Sequence, residues 1–418
     1  MSGSDGATIP LPFVVPGDWS AKPLRLACKL IADGDWVELK DQGGQDFRLL
    51  QISNIGIGDF IETGKYRCIT AETFHRLRCT EINVGDVLVA RMPEPTGRCW
   101  YVKTLPWRAI AAVDVAIVRT NESELDARFL SYYLNSPQSL AAVASLTTGT
   151  TRLRIRRADI GRLTVPLPPL AEQGAIAEAL GALDDKIEAN RRTTSAILSL
   201  TAALWIEAFA EPSPDWPLET VEEIATVVGG STPSTKVEEY WDGDIGWATP
   251  RDMSRLSLPV LLSTDRRITE LGLGQISSGL LPVGTLLLSS RAPIGYLAIG
   301  ELPVAINQGI IAVVPGGRLP VLYLWQWLLY NMDSVKERAN GTTFLEISKS
   351  NFRSMLIPLP PMSLVEGWME FARALYGLLV SMERETQALI ALRDTLLPKL
   401  MSGELRVRDA EHLVEDVA

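Results

Sequence analysis

Thr148-Gly149-Thr150-Thr151-Arg152-Leu153, followed by Leu163-Thr164-Val165-Pro166-Leu167-Pro168-Pro169-Leu170, recurs 192 residues later as Asn340-Gly341-Thr342-Thr343-Phe344-Leu345 and Met355-Leu356-Ile357-Pro358-Leu359-Pro360-Pro361-Met362. One register aligns both blocks across the loop between them, so the chain is an internal repeat. The repeat continues upstream with small shifts that read as loop insertions. Asp18-Trp19 matches Asp215-Trp216, Val84-Gly85-Asp86-Val87-Leu88-Val89 matches Val283-Gly284-Thr285-Leu286-Leu287-Leu288, and Phe129–Leu134 matches Tyr323–Leu328. Each copy is a globular part followed by a helical part, and Glu211-Pro212-Ser213-Pro214 breaks the chain between them.

Within each globular part, apolar runs such as Val87–Ala90, Val115–Val118, Leu286–Leu288 and Ile310–Val314 are bounded by Gly, Pro and polar residues and read as strands. Phe129–Leu134 and Tyr323–Leu329 have helical spacing. Each globular part is therefore expected to be an α+β domain of mixed sheet and helices. In the helical parts, Pro168-Pro169 and Pro360-Pro361 suit helix starts, where a missing N–H costs nothing. Apolar residues then follow at alternating intervals of four and three: Ile176, Leu180, Leu183, Ile187 and Ile197 in the first helix, Leu375, Leu379, Leu389 and Leu396 in the second. That 3.5-residue seam specifies coiled-coil packing, and Asn190, Thr194 and Arg393 interrupt it as register-fixing polar residues do. The simplest arrangement pairs the two helices with each other. If antiparallel, they carry the domains at opposite ends, and about 40 residues of helix span about 60 Å. The divisions are a first domain at 17–165, its helix at 166–210, a second domain at 211–357, its helix at 358–405 and an acidic tail at 406–418.

Composition narrows the function. The 418 residues carry a net charge of −10, against nonspecific coating of nucleic acid, but the charge is uneven. Residues 22–165 hold 20 Lys/Arg against 16 Asp/Glu, whereas residues 211–357 hold 11 against 16. The N-terminus has no signal-peptide pattern and no apolar run is long enough to span a membrane, which leads us to expect a cytoplasmic protein. Cys28, Cys68, Cys79 and Cys99 have no CxxC pairing and read as free thiols. There is no GxxxxGK[ST] loop and no amino-methyltransferase motif, and His75 and His412 lack metal or triad spacing, so no catalytic residue, metal ligand or bound cofactor is expected on this chain.

Basic chemistry gathers instead around the repeated loop. Gly149 brings backbone near a phosphate, Thr150 and Thr151 offer hydroxyls, and Arg152 or Arg154 reaches phosphate or a guanine edge. The second copy keeps Thr342 and Thr343 but replaces the arginines with Phe344 and Glu346. The same loop reads equally well as a joint docking each domain on its helix. Arg91 and Arg291, after matched strands, and Arg251 with Arg266 and Arg267 are further candidates, each equally an ordinary surface arginine. Asn307 and Gln308 are suited to adenine, although a satisfied turn is the simpler reading. Trp325 and Trp327 fit a core better than a stacking platform.

The ordered combination of Pro166-Leu-Pro-Pro-Leu-Ala-Glu-Gln173, Leu392-Arg-Asp-Thr-Leu-Leu-Pro-Lys-Leu-Met-Ser-Gly-Glu-Leu405, Asp33-Gly-Asp-Trp-Val-Glu-Leu-Lys-Asp-Gln42 and the half-chain repeat resembles the specificity (S) subunit of type I restriction–modification systems. The resemblance covers nearly the whole chain. It implies two target-recognition domains separated by an antiparallel coiled coil of two long helices. Each domain would read half of a bipartite site in double-stranded DNA. The helices would set the gap and dock two methyltransferase subunits, which bind S-adenosylmethionine, with restriction subunits as further partners. The second helix opens Met362-Ser-Leu-Val-Glu-Gly-Trp368, which departs from the first copy's Leu-Ala-Glu-Gln. A coiled-coil adaptor with two protein-binding domains is the alternative from another class, and an enzyme with an unrecognised site is a third.

Overall fold

The structure is a computed structural model describing residues 8–64, 66–92, 95–148, 153–291, 293–340 and 345–407. The chain packs as two compact units, one of Met1–Lys186 with Leu389–Ala418 and the other of Ile187–Ala388. Each unit holds one globular domain with part of each long helix.

In the first unit, β1 (Ser20–Pro23), β2 (Cys28–Asp33), β3 (Phe47–Leu50), β4 (Arg67–Ile69), β5 (Val87–Ala90), β6 (Cys99–Tyr101), β7 (Ala109–Ala111), β8 (Val115–Thr120) and β9 (Thr164–Leu167) form three sheets. β1 pairs with β9, the order β2-β8-β5-β6 makes a four-stranded antiparallel sheet, and β4-β3-β7 makes a three-stranded one. The runs Val87–Ala90 and Val115–Val118 are buried along their whole length, which is why they are continuously apolar rather than alternating.

The second unit repeats this plan with β10 (Leu218–Thr220), β11 (Thr226–Gly229), β12 (Trp241–Ala248), β13 (Val260–Leu261), β14 (Arg266–Ile268), β15 (Leu286–Ser289), β16 (Leu297–Gly300), β17 (Val304–Ile306), β18 (Ile310–Val314) and β19 (Leu356–Pro358). β10 pairs with β19, the larger sheet runs β11-β18-β15-β16-β13, and the smaller runs β14-β12-β17. Apart from the added edge strand β13, the order is that of the first domain. In both smaller sheets the central strand has an antiparallel neighbour on one side and a parallel neighbour on the other.

The repeated glycines have concrete work in this plan. Gly85 and Gly284 turn the chain into β5 and β15 with φ of 95° and 84°, in the left-handed region that a side chain disfavours. Gly34 and Gly230 bring the chain across the end of the smaller sheet. A Cβ on Gly34 would lie 2.1 Å from the Ala112 carbonyl oxygen, and one on Gly230 would lie 2.2 Å from those of Ile306 and Asn307.

The first long helix is Leu170–Phe209 and the second Met362–Ser402. Both begin directly after the Pro-Pro pair, as their sequences require. In the first unit Ile176, Leu180 and Leu183 share a core with Leu396, Leu397, Leu400 and Met401, and Arg393 Nη1 meets Asp184 Oδ1 at 2.9 Å. In the second unit Asn190 Nδ2 donates to Thr386 Oγ1 at 3.3 Å and to Glu385 Oε2 at 2.8 Å. Ile197 packs with Leu379, and Phe209 meets Trp368 edge-on. Within each unit, advancing along one helix retreats along the other, so the helices pack antiparallel. All the seam residues of the first helix named above are buried, as are Leu379 and Leu396, while Leu375 and Leu389 are half-buried. Trp205, Leu397 and Met401 are buried off the seam, because near its ends each helix also carries a globular domain.

Two of the polar residues that interrupt the seam have partners on the other helix: Asn190 as above, and Arg393, which pairs with Asp184. Asp184 in turn accepts from Tyr132 of the first domain at 2.7 Å. Gln173 is fully buried and ties the helix start to that domain, with Nε2 donating to the Glu124 and Pro168 carbonyls and Oε1 accepting from Asp126 N. The second copy has Val365 there, equally buried but in an apolar setting. Arg406, placed at the head of the tail by its sequence, is docked on Asp18 and Glu172, with its guanidinium 5.3 Å from the Trp19 ring.

Candidate nucleic-acid interface

In both domains the residues flanking the repeated Gly-Thr-Thr segment pair with each other as an antiparallel bridge, the base of a hairpin. Thr148 and Arg154 exchange two backbone hydrogen bonds of 3.1 Å, and Asn340 and Glu346 exchange bonds of 2.9 and 3.0 Å. Thr150, Thr151, Arg152, Thr342 and Thr343, which fall between these flanking residues in sequence, lie outside the described residues. The hairpins are anchored to the turns after β5 and β15. Ile155 N donates to the Arg91 carbonyl, and Ile347 N to that of Ser290.

In the second domain the sequence candidates converge on this end. Arg291 faces Glu346 across the hairpin base, N to O 3.8 Å. Gly309 sits against Pro250, Asn307 Oδ1 and Arg291 Nε. Arg251 is exposed on the short helix Pro250–Ser254 that follows β12. Asn307 closes its own turn, its Oδ1 accepting from Gly309 N at 2.8 Å, as the simpler reading of that residue has it. Gln308 is exposed and accepts a hydrogen bond from the Thr232 hydroxyl. Arginine forks and a carboxamide around the carboxyl ends of the parallel pair β12 and β17 give a donor-rich rim suited to base edges and phosphates.

The first domain uses its arginines differently. Arg91 is only 6% exposed. Its guanidinium is paired with Asp33 and donates to the carbonyls of Ile155 at 3.1 Å and Val113 at 3.4 Å, so it is a strut of the hairpin base and presents no free donor face. Burial, only partly offset by Asp33, lowers its pKa. Arg154 is half-exposed and paired with Asp114 at 2.9 Å, and Arg157 lies 3.6 Å from Asp33. Nearby, burial pushes the Asp35 carboxyl up to about 6, against hydrogen bonds from Thr80 N and the Cys79 thiol.

The sequence alone singled out Arg266 but not its counterpart Arg67. Arg67-Cys68-Ile69-Thr70 corresponds to Arg266-Arg267-Ile268-Thr269 at an offset of 199, the same shift that relates Val84 to Val283. The structure places them alike. β4 and β14 are edge strands, Arg67 opposite Leu49 and Arg266 opposite Trp247. Thr70 and Thr269 each cap a short helix that folds over the outer face of the smaller sheet.

The long helices also present a surface. Leu364, Phe371 and Leu378 of the second helix, seven residues apart, are all exposed, Phe371 to 63%. The equivalent positions of the first helix are Glu172, Ala179 and Lys186. Among the described residues no group of His, Cys, Asp and Glu is arranged to hold a metal ion, and no helix is long and apolar enough to cross a membrane.

Comparison with known proteins follows the same halves. A family model described as the type I restriction modification DNA specificity domain matches twice, at residues 42–198 and 214–364. The type I restriction enzyme MjaIX specificity subunit of Methanocaldococcus jannaschii is 39% identical over 148 residues, 35% of this chain and 34% of that protein. The match thus spans about a third of that relative's length. The putative type I restriction enzyme MjaX specificity subunit of the same organism is 19% identical over 425 residues, covering 94% of this chain and 95% of that one. Among solved structures, the type I restriction–modification S subunit from M. genitalium superposes with a TM-score of 0.62 at 17% identity, over 94% of this chain and 99% of that chain.

Proposed function

Given that the chain belongs to the type I restriction–modification DNA specificity family, whose members recognise DNA and leave catalysis to partner subunits, we propose that it reads a bipartite site in double-stranded DNA and docks methyltransferase subunits beside it. The observation that carries this reading is the duplication: one strand order built twice, with matched hairpins at the same end of each domain and different side chains around them. Equal frames with unequal rims suit two different half-sites. The antiparallel helices belong to both units and would fix the unread gap between the half-sites.

The exposed Leu364–Phe371–Leu378 stripe is suited to a partner helix, the mode in which an apolar face packs at heptad spacing. Two methyltransferase subunits, each with its own S-adenosylmethionine, would use the two pseudo-equivalent helix faces. The unmatched stripe makes those faces unequal in strength. Restriction subunits would join that complex, in the cytoplasm. The test is co-expression with the neighbouring methyltransferase gene, followed by mapping of methylated adenines. A two-part motif with a fixed gap is the expected result. A chain that forms no such complex and directs no motif would instead be an adaptor for proteins.

A further inference from the structure

Arg67 and Arg266, at equal positions on the exposed edges of the two smaller sheets, have no carboxylate within 4 Å among the described residues; Arg251 and Arg267 share this, whereas Arg91, Arg154, Arg255 and Arg291 are paired. In the second domain Arg266 is also held in place. The Arg266 guanidinium carbon lies 3.6 Å from the Trp241 ring centroid and 5.5 Å from that of Trp247. The two indoles meet edge-to-face at 5.1 Å and 82°. Their N–H groups donate to the Ser234 carbonyl at 3.1 Å and the Ser231 carbonyl at 3.3 Å. The loop after β11 therefore locks the tryptophans, and the tryptophans carry the guanidinium.

A guanidinium lying on aromatic faces is stabilised without using its N–H donors, which stay available as a rigid fork. Beside it, the Ser231–Thr232 turn brings in the exposed Gln308, whose carboxamide is fixed by Thr232. A fixed arginine fork and a fixed carboxamide are the two side-chain types that bind the major-groove edges of guanine and adenine in pairs of hydrogen bonds.

We infer that Arg266, on its Trp241/Trp247 platform, reads a guanine in the half-site of the second domain, and that Arg67 occupies the corresponding reading position in the first. The inference rests on the DNA-reading function proposed above. It makes β4 and β14 with their flanking loops, rather than the Gly-Thr-Thr hairpins alone, the specificity-determining edge.

The experiment uses the chain in complex with its methyltransferase subunit and maps methylated positions on a plasmid library of half-site variants. Arg266→Ala relaxes one base position of the second half-site, with preference for that base falling on the order of ten-fold or more. Arg266→Lys relaxes the same position, because a point charge cannot make two fixed bonds. This variant keeps the stacked cation, so it remains informative if the alanine variant fails to fold. Arg318→Ala removes the same charge from the Glu219 pair and leaves the motif as in wild type. Folded Arg266 variants with an unchanged motif would overturn the assignment. So would a uniform loss of affinity over all sequences with a salt slope lower by about one, the mark of a phosphate contact. Wild-type complex directing no two-part motif would instead remove the reading on which the assignment stands, and the assignment with it.

Discussion

Replacing Arg91 by methionine separates a buried strut from a DNA contact. The substitution keeps most of the aliphatic stem and deletes the guanidinium. Three interactions are lost: the pair with Asp33, the bond to the Ile155 carbonyl at 3.1 Å and the longer one to Val113 at 3.4 Å. Removing one member of a buried ion pair typically costs about 3–5 kcal/mol when the other charge is stranded. Asp33 is not stranded: its side chain is 38% exposed and Arg157 lies 3.6 Å away. The remaining cost is chiefly a buried carbonyl left without a donor, about 1–3 kcal/mol, so about 3 kcal/mol in all is a fair upper figure. For a unit of this size each kcal/mol moves the midpoint by roughly 2–4 °C, so the fall is at most roughly 6–12 °C. Scanning calorimetry of the purified chain reads that fall in the transition of the first unit. Below that transition, the methylated motif directed by the variant complex stays that of wild type. Arg91→Met with a wild-type melting profile and an altered motif would refute the reasoning. The counterpart Arg291→Met, half-exposed against a distant Glu346, costs under about 1 kcal/mol.

Gly230→Ala drives a Cβ into two carbonyl oxygens at 2.2 Å, and a loss of at least about 2 kcal/mol is expected by chemical denaturation of the chain. Asn190→Ala removes two donated hydrogen bonds between the helices and lowers stability by about 1–2 kcal/mol. A double-mutant cycle with Thr386→Ala then shows a coupling of about 0.5 kcal/mol or more, and strict additivity would remove Asn190 from the helix pairing. Asp35 has a folded-state pKa of about 6, above its unfolded value, so the native state binds more protons between the two pKa values. Its contribution to stability is therefore lost as pH rises from about 4 through 6. Asp35→Asn flattens the stability–pH profile in that window, and an unchanged profile would argue against its burial.

The parts legible in the sequence are those set by local pattern. Val87–Ala90 and Val115–Val118 are apolar because both faces are buried, and the helix starts are written as Pro-Pro followed by a heptad seam. The polar interruptions Asn190, Thr194 and Arg393 are register signs, and two of them are partnered across the seam, but the antiparallel direction is not written in them. What stayed hidden depends on distant pairing. Arg91 is an ordinary arginine until the fold sets Asp33, 58 residues upstream, beside it. The edge strands β4 and β14 are three residues long, too short for periodicity to reveal, and only the shared 199-residue offset betrays Arg67 and Arg266 as a pair. The Trp241–Trp247 platform needs the parallel pairing of β12 with β17, residues 246–248 opposite 304–306, which no local motif encodes.

The most direct test of the duplicated design is an exchange of residues 17–165 for the first recognition domain of another member of the family, with the methylome of the resulting complex as the readout. One half of the methylated motif is expected to change while the other half and the gap stay as they were. A change in both halves, or a motif that keeps both, would contradict the duplicated design.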